Sequence, residues 1–168
     1  MKLAKVFKEN KQFTLFSILA LVVVGVAVLA PQIAPYDPLD AVMLESLQAP
    51  SSAHPFGTDK LGRDLLSRVI FGTRTSLVMT LCLVAVIFVI GTFLGIIAGY
   101  FGGIVDGVIM RIADMMISFP GLVLAIAIAG MLGPNLVNAV ISIAAVSWTK
   151  YARLARSMVL RVKKESLY

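Results

Sequence analysis

Charge and reactive side chains are what this sequence has least of. Only 14% of its 168 residues are Asp, Glu, Lys or Arg, against 59% hydrophobic ones, and the mean hydropathy is +0.94. A soluble domain of this length carries roughly a quarter charged residues. There is one cysteine, Cys82, so no internal disulfide can form, and its setting in an apolar run reads as small packing. The single histidine, His54, has no Cys or carboxylate at metal-ligand spacing and reads as an ordinary loop residue. No glycine-rich loop ends in Gly-Lys-Ser or Gly-Lys-Thr, which removes that route to nucleotide binding. Ser67, Thr73, Thr75 and Ser76 have no base nearby in sequence to make a nucleophile. Asp37, Asp40 and Glu45 read equally as a carboxylate cluster or as a solvated acidic loop. No enzyme chemistry, bound cofactor or metal site is expected.

What is present is apolar sequence in blocks long enough for a bilayer, which needs about 20 residues. The expectation is an all-α integral membrane protein with four transmembrane helices. The net charge of +6 does not point to nucleic acid, because the basic residues flank the apolar blocks. Lys2, Lys5, Lys8 and Lys11 precede the first block. Lys150, Arg153, Arg156, Arg161, Lys163 and Lys164 follow the last.

Residues 1–12 form a basic, cytoplasmic tail. Residues 13–30 form the first span, ended by Pro31 and Pro35. The run is long for a signal-peptide core and Pro31 directly follows the only plausible cut, so it reads as a retained anchor. Residues 31–76 lie outside the bilayer, with turn formers at Pro35-Tyr36-Asp37-Pro38 and Ala49-Pro50-Ser51-Ser52. Four basic and five acidic residues leave that loop nearly neutral, as expected of the outer side. Near its end Leu65, Leu66, Val69 and Ile70 share one helical face, with Asp64 and Arg68 spaced for an ion pair. Gly72 is expected to end that short helix, and Thr75 or Ser76 to cap the next.

The remainder, 77–168, is expected to hold helices near 77–100, 105–131 and 136–157. In the first of these Gly91, Gly95 and Gly99 recur every fourth residue, a bare stripe on which another helix can pack closely. After the Tyr100-Phe101-Gly102-Gly103 turn, Arg111, Asp114 and Ser118 share a face. Two readings stand for Arg111 and Asp114: a pair solvated at the interface, or a lock on a neighbouring helix near a gate. Pro120, after Phe119, interrupts that helix as either a pore element or a packing bend. Gly133-Pro134-Asn135 is the next turn, and Trp148 and Tyr151 suit an interface. Four crossings place both termini in the cytoplasm.

A specific string runs through the loop: Gly57, Thr58, Asp59, Lys60, Leu61, Gly62, Arg63, Asp64, Leu65, Leu66, Ser67 and Arg68, with Gly72-Thr73-Arg74-Thr75-Ser76-Leu77 behind it. With Ala34-Pro35-Tyr36-Asp37-Pro38, Gly99-Tyr100-Phe101-Gly102-Gly103, Met110-Arg111-Ile112-Ala113-Asp114, Phe119-Pro120 and Tyr151-Ala152-Arg153 with Arg156, it resembles the second permease subunit of bacterial ABC importers for dipeptides, oligopeptides and nickel. The matches cover nearly all of the chain, in order. The resemblance implies a type I importer permease in the inner membrane, half of a heterodimeric pore. Its partners would be a second homologous permease subunit, two ATPase subunits and an extracytoplasmic solute-binding protein. Such a chain supplies a path and no catalysis. The family's docking helix, with its Glu-Ala-Ala signature, begins just after the position matching Tyr168. On that reading this is an N-terminal portion, truncated before the coupling helix. The alternatives are a small, non-transport membrane interaction protein that uses the Gly91-Gly95-Gly99 face, or a non-functional truncated remnant. Peptides lead as cargo, with nickel second.

Overall fold

A computed structural model describes residues 10–165; most of the basic tail and the end at Tyr168 lie outside the described residues. Among the described residues, apolar sequence with few breakers gives five α-helices: α1 (Lys11–Ile33), α2 (Leu65–Phe101), α3 (Gly103–Ser118), α4 (Gly121–Leu132) and α5 (Leu136–Glu165). Among the described residues there is no strand, only an isolated bridge between Thr58 and Asp64. The chain divides into two compact units between Val78 and Met79.

In the first unit, α1 runs past Pro31, which the sequence had suggested would end it. Proline's fixed φ is itself helical, and only one backbone donor is lost. Gln32 and Ile33 continue the helix, which closes when Ala34 N–H bonds to the Ala30 carbonyl. The α1–α2 connection holds a 3-10 turn at Met43–Glu45 and several tight turns. The separate amphipathic helix expected before Gly72 does not exist: Leu65 to Phe101 is one helix of 37 residues. A mid-helix glycine costs only about 1 kcal/mol, which a long apolar helix easily absorbs. Thr73 and Thr75 donate back to the Val69 and Phe71 carbonyls instead of capping a new helix.

In the second unit, Gly102 and Gly103 take φ of +66° and +52° and turn the chain from α2 into α3. The expected single crossing over 105–131 is two helices. α3 and α4 meet at a break around Phe119-Pro120 and are bent by 92°. Helix α5 extends to Glu165, well past residue 157.

Two helices, α1 and α2, are long and apolar enough to cross a membrane, and the bent α3–α4 pair makes a third if counted as one span. The all-helical character agrees with expectation; the fourth crossing is not in this count, because α5 is apolar only in its first half before Lys150, Arg153, Arg156 and Arg161. Packing follows membrane rules. Large apolar side chains such as Leu21, Val89 and Leu122 point outward, while the fully enclosed positions are small: Ala98, Ala113, Ala152, Ser142 and Thr149. In lipid there is no hydrophobic drive between helices, so small residues that permit close approach form the interior. Cys82 is exposed, so it is not the packing residue its apolar setting suggested.

Candidate functional site

The signature string folds into a hydrogen-bonded knot in the first unit. Gly57 and Gly62 sit at φ +74° and +75°. A Cβ on Gly57 would lie 3.3 Å from the Ala49 carbonyl carbon, and one on Gly62 only 2.6 Å from that of Val42, so neither tolerates a side chain. Between them, Asp59 organises the turn. Its carboxylate accepts from the Leu61 and Arg63 amides at 2.8 and 3.1 Å and from Arg63 Nε at 2.9 Å, and it pairs with the Arg68 guanidinium. Desolvation pushes this carboxyl upward, but the hydrogen bonds from Arg63 and the Leu61 amide outweigh it and hold Asp59 well below the usual carboxylate range. Thr58 donates to the Glu45 carbonyl and accepts from the Gln48 amide, tying the knot to the 3-10 turn. Leu47 is held at φ +56° there, a non-glycine residue in the left-handed region, with its amide bonded to the Asp59 carbonyl.

Asp64 performs a different task. It directly precedes α2, and its Oδ2 accepts from both the amide and hydroxyl of Ser67 at 2.7 Å, the geometry of an N-terminal cap. The expected Asp64–Arg68 pair is absent: Arg68 is drawn to Asp59, and Asp64 turns inward. There its Oδ1 lies 3.0 Å from Nδ1 of His54. Burial raises this carboxyl, but the two Ser67 hydrogen bonds and then His54 prevail and lower it. Ser67 is completely buried and accepts from the Tyr36 amide, so the Pro-Tyr-Asp-Pro turn is sewn to the start of α2. Every member of the string apart from Lys60 and the apolar leucines thus has a structural task. His54 and Tyr36 belong to this cluster as well. Their signal in sequence was faint: one histidine three residues before a glycine-rich turn, and a tyrosine between prolines.

The second unit carries the glycine stripe. Gly91, Gly95 and Gly99 face α5 of the same chain. A Cβ on Gly91 would meet Tyr151 Cβ at 2.6 Å; one on Gly95 would meet Ala155 Cβ at 2.8 Å; one on Gly99 would meet Val159 Cβ at 2.8 Å. The stripe is therefore filled within the chain, which leaves no open face for a second subunit there. Phe88 packs edge-on against Tyr151 at 6.0 Å, and Lys163 donates to the Tyr100 carbonyl, closing both ends of the seam.

Helix α5 is also tied to α3 by charge. Arg156 makes a two-pronged pair with Asp106, and Arg153 pairs with Asp114. Asp114 thus locks onto a neighbouring helix, but through Arg153 and not with Arg111, which has no ion pair among the described residues. Asp106 and its partner lie 50 residues apart, so nothing in the local pattern links them. At the helix break Phe119 is extended (φ −93°, ψ 148°), the conformation that a following proline imposes. Ser118 donates to the Met115 carbonyl at the end of α3. The break opens a cleft of about 360 Å³ lined by Met116, Phe119, Gly121, Ala125, Val146 and Lys150. No group of three metal-ligating side chains occurs among the described residues.

Residues 91–168 match the family described as binding-protein-dependent transport system inner membrane component. The chain is 39% identical over 163 residues to the dipeptide transport system permease protein of Haemophilus influenzae, covering 94% of this chain and 55% of that one. It is 41% identical over 145 residues to the glutathione transport system permease protein of Pectobacterium atrosepticum, covering 86% of this chain and 48% of that one. With the nickel transport system permease protein of Escherichia coli it shares 39% identity over 130 residues, 77% of this chain and 47% of the other. The chain spans about half the length of the curated relatives it matches. It resembles transport-system permeases over most of its length, and it carries helices long and apolar enough to cross a membrane.

Proposed function

We propose that this chain is a permease component of an ATP-driven importer, contributing part of the translocation path for small peptides. The observation that carries the reading is the similarity to a dipeptide permease along 94% of the chain, with the family match falling on the unit that holds the glycine seam and the α3–α5 ion pairs. Glutathione and nickel permeases match at similar identity, so the shared framework does not encode cargo, and peptides lead because peptide systems recur among the relatives.

In this reading an extracytoplasmic binding protein delivers cargo to the side bearing the signature knot. A second permease subunit completes the pore, and two ATPases dock in the cytoplasm. The fold is that of a type I importer. α1, α2 and the α3–α4 pair cross the inner membrane, and α5 makes a fourth crossing whose basic second half emerges inside, with both termini cytoplasmic. The near-neutral knot and the basic end of α5 support this orientation through the positive-inside rule. The protein's own residues bind no cofactor, and the chemistry is done by the ATPases.

Uptake tests the reading directly. Cells lacking the gene should lose accumulation of a labelled dipeptide, and restoring it should recover transport. Unchanged dipeptide uptake with lost nickel uptake would transfer the cargo to the metal, and no change in either would remove the importer reading. For orientation, a cysteine replacing Lys60 should react with an impermeant thiol reagent in intact cells; reaction only after lysis would invert the topology.

A further inference from the structure

His54 is the chain's one histidine and is almost wholly enclosed, 6% exposed. Its two ring nitrogens face two carboxylates from different segments. Nδ1 lies 3.0 Å from Oδ1 of Asp64, the cap of α2, and Nε2 lies 3.4 Å from Oε2 of Glu45, on the 3-10 turn. The ring face rests on Tyr36 with centroids 4.9 Å apart, and the Tyr36 hydroxyl donates to the Ala53 carbonyl. Glu45, Asp64 and Tyr36 are the titratable groups that meet the ring. The nearby cations Arg63 and Arg68 are both committed to Asp59.

A neutral imidazole carries one N–H. Asp64, whose Oδ1 meets Nδ1, claims that hydrogen, which leaves Nε2 unprotonated 3.4 Å from the Glu45 carboxylate. Only the imidazolium donates at both ends. We propose that His54 is a proton-operated clasp: its protonation ties the Met43–Glu45 turn to the start of α2, and its deprotonation releases the Glu45 side while the Asp64 side holds.

The direction with pH follows from which form is clasped. Protonation favours the closed state, so closure strengthens as pH falls. It continues until the carboxylates themselves protonate, and the lowered Asp64 carboxyl puts its own loss below the ordinary carboxylate range. The clasp is local to the knot and does not depend on what the chain transports.

With a single histidine, selective ¹⁵N-histidine labelling gives one pair of ring signals in the full chain embedded in lipid nanodiscs. The wild-type ring should titrate at higher pH than the ring of Glu45→Gln, whose amide can donate to the Nε2 lone pair and satisfy the neutral form. Below its midpoint the wild-type signal should be that of the imidazolium, and above it the Nδ1–H tautomer. Between pH 8 and 6, amide exchange in the Met43–Leu47 segment, corrected for intrinsic pH dependence, should slow about two- to fivefold more in wild type than in Glu45→Gln, the coupling exposed ion pairs give. Equal midpoints in the two proteins, an Nε2–H tautomer, or exchange that follows the same course in both would each overturn the clasp.

Discussion

The polar knot before α2 and the glycine seam within the second unit solve the same problem, fixing one backbone against another, by opposite means. In the knot, precision comes from groups that are added: Asp59 and Asp64 gather eight hydrogen-bond and ion-pair donors between them, and two left-handed glycines let the backbone reach them. In the seam it comes from atoms left out, since three missing side chains admit Tyr151, Ala155 and Val159. On the membrane placement proposed above, the difference reflects solvent. Where water competes, a turn needs many directed bonds; in lipid the fit of surfaces must supply the contact energy. Mutations should therefore fail differently in the two places.

The largest effect is expected in the seam. Gly95→Leu places a branched side chain where a Cβ already collides with Ala152 and Ala155, and overpacking of this kind costs about 3 kcal/mol. Trp148, the only tryptophan, sits on the facing helix, so a thermal melt followed by its fluorescence should show the loss. Gly107→Ala in α3, with nothing within 4 Å of the added carbon, should instead stabilise by about 0.5–1 kcal/mol. If both glycines respond alike, the seam is not a packing device.

Next comes the knot. Asp64→Ala removes a helix cap and leaves His54 and Ser67 without their shared acceptor, at a cost of about 2 kcal/mol. The wild-type carboxylate also sets an acid limit. Its lowered pKa means that its contribution is fully present above the ordinary carboxylate range, about pH 4, and is lost only as pH falls through its lower folded value. Protection of the Ser67 amide from exchange should therefore persist at pH 4.5 in wild type and be lost in Asp64→Ala at neutral pH already.

The smallest effects separate the two α3–α5 ties. Asp106 is largely enclosed and grips Arg156 with both oxygens, whereas Asp114 is mostly exposed. Asp106→Asn should cost about 1–2 kcal/mol and Asp114→Asn under about 0.5 kcal/mol, read from paired melts. A reversed order would make the exposed tie the stronger one.

Much of this was legible from sequence because it is local or periodic. Apolar runs announced α1 and α2, Pro120 announced a break, and the four-residue period of Gly91, Gly95 and Gly99 announced a close helix contact. The sequence did not reveal which helix fills that contact, since the period describes one surface only. The boundary expected at Gly72 was an error of weight: a lone glycine is a weak breaker beside the propensity and hydrophobicity of a 37-residue helix. The pairings Asp59–Arg68, His54–Asp64 and Asp106–Arg156 were hidden for another reason. Each competes with a nearer alternative, and only the folded backbone decides among them. The Asp64–Arg68 spacing looked favourable, yet the helix cap claimed Asp64 first.

The break between α3 and α4 has a consequence for hydration. A helix that stops leaves carbonyls without partners at its end, and one that starts leaves amides without partners. Phe119 and Pro120 interrupt the ladder between α3 and the apolar α4, and Pro120 offers no donor of its own. Hydrocarbon cannot satisfy such groups, and each left bare costs several kcal/mol. If α3 and α4 together make one crossing, the notch beside Lys150 is therefore a place where the bilayer's dry interior gives way. Water or the polar backbone of another polypeptide must stand against it, and a lipid tail cannot.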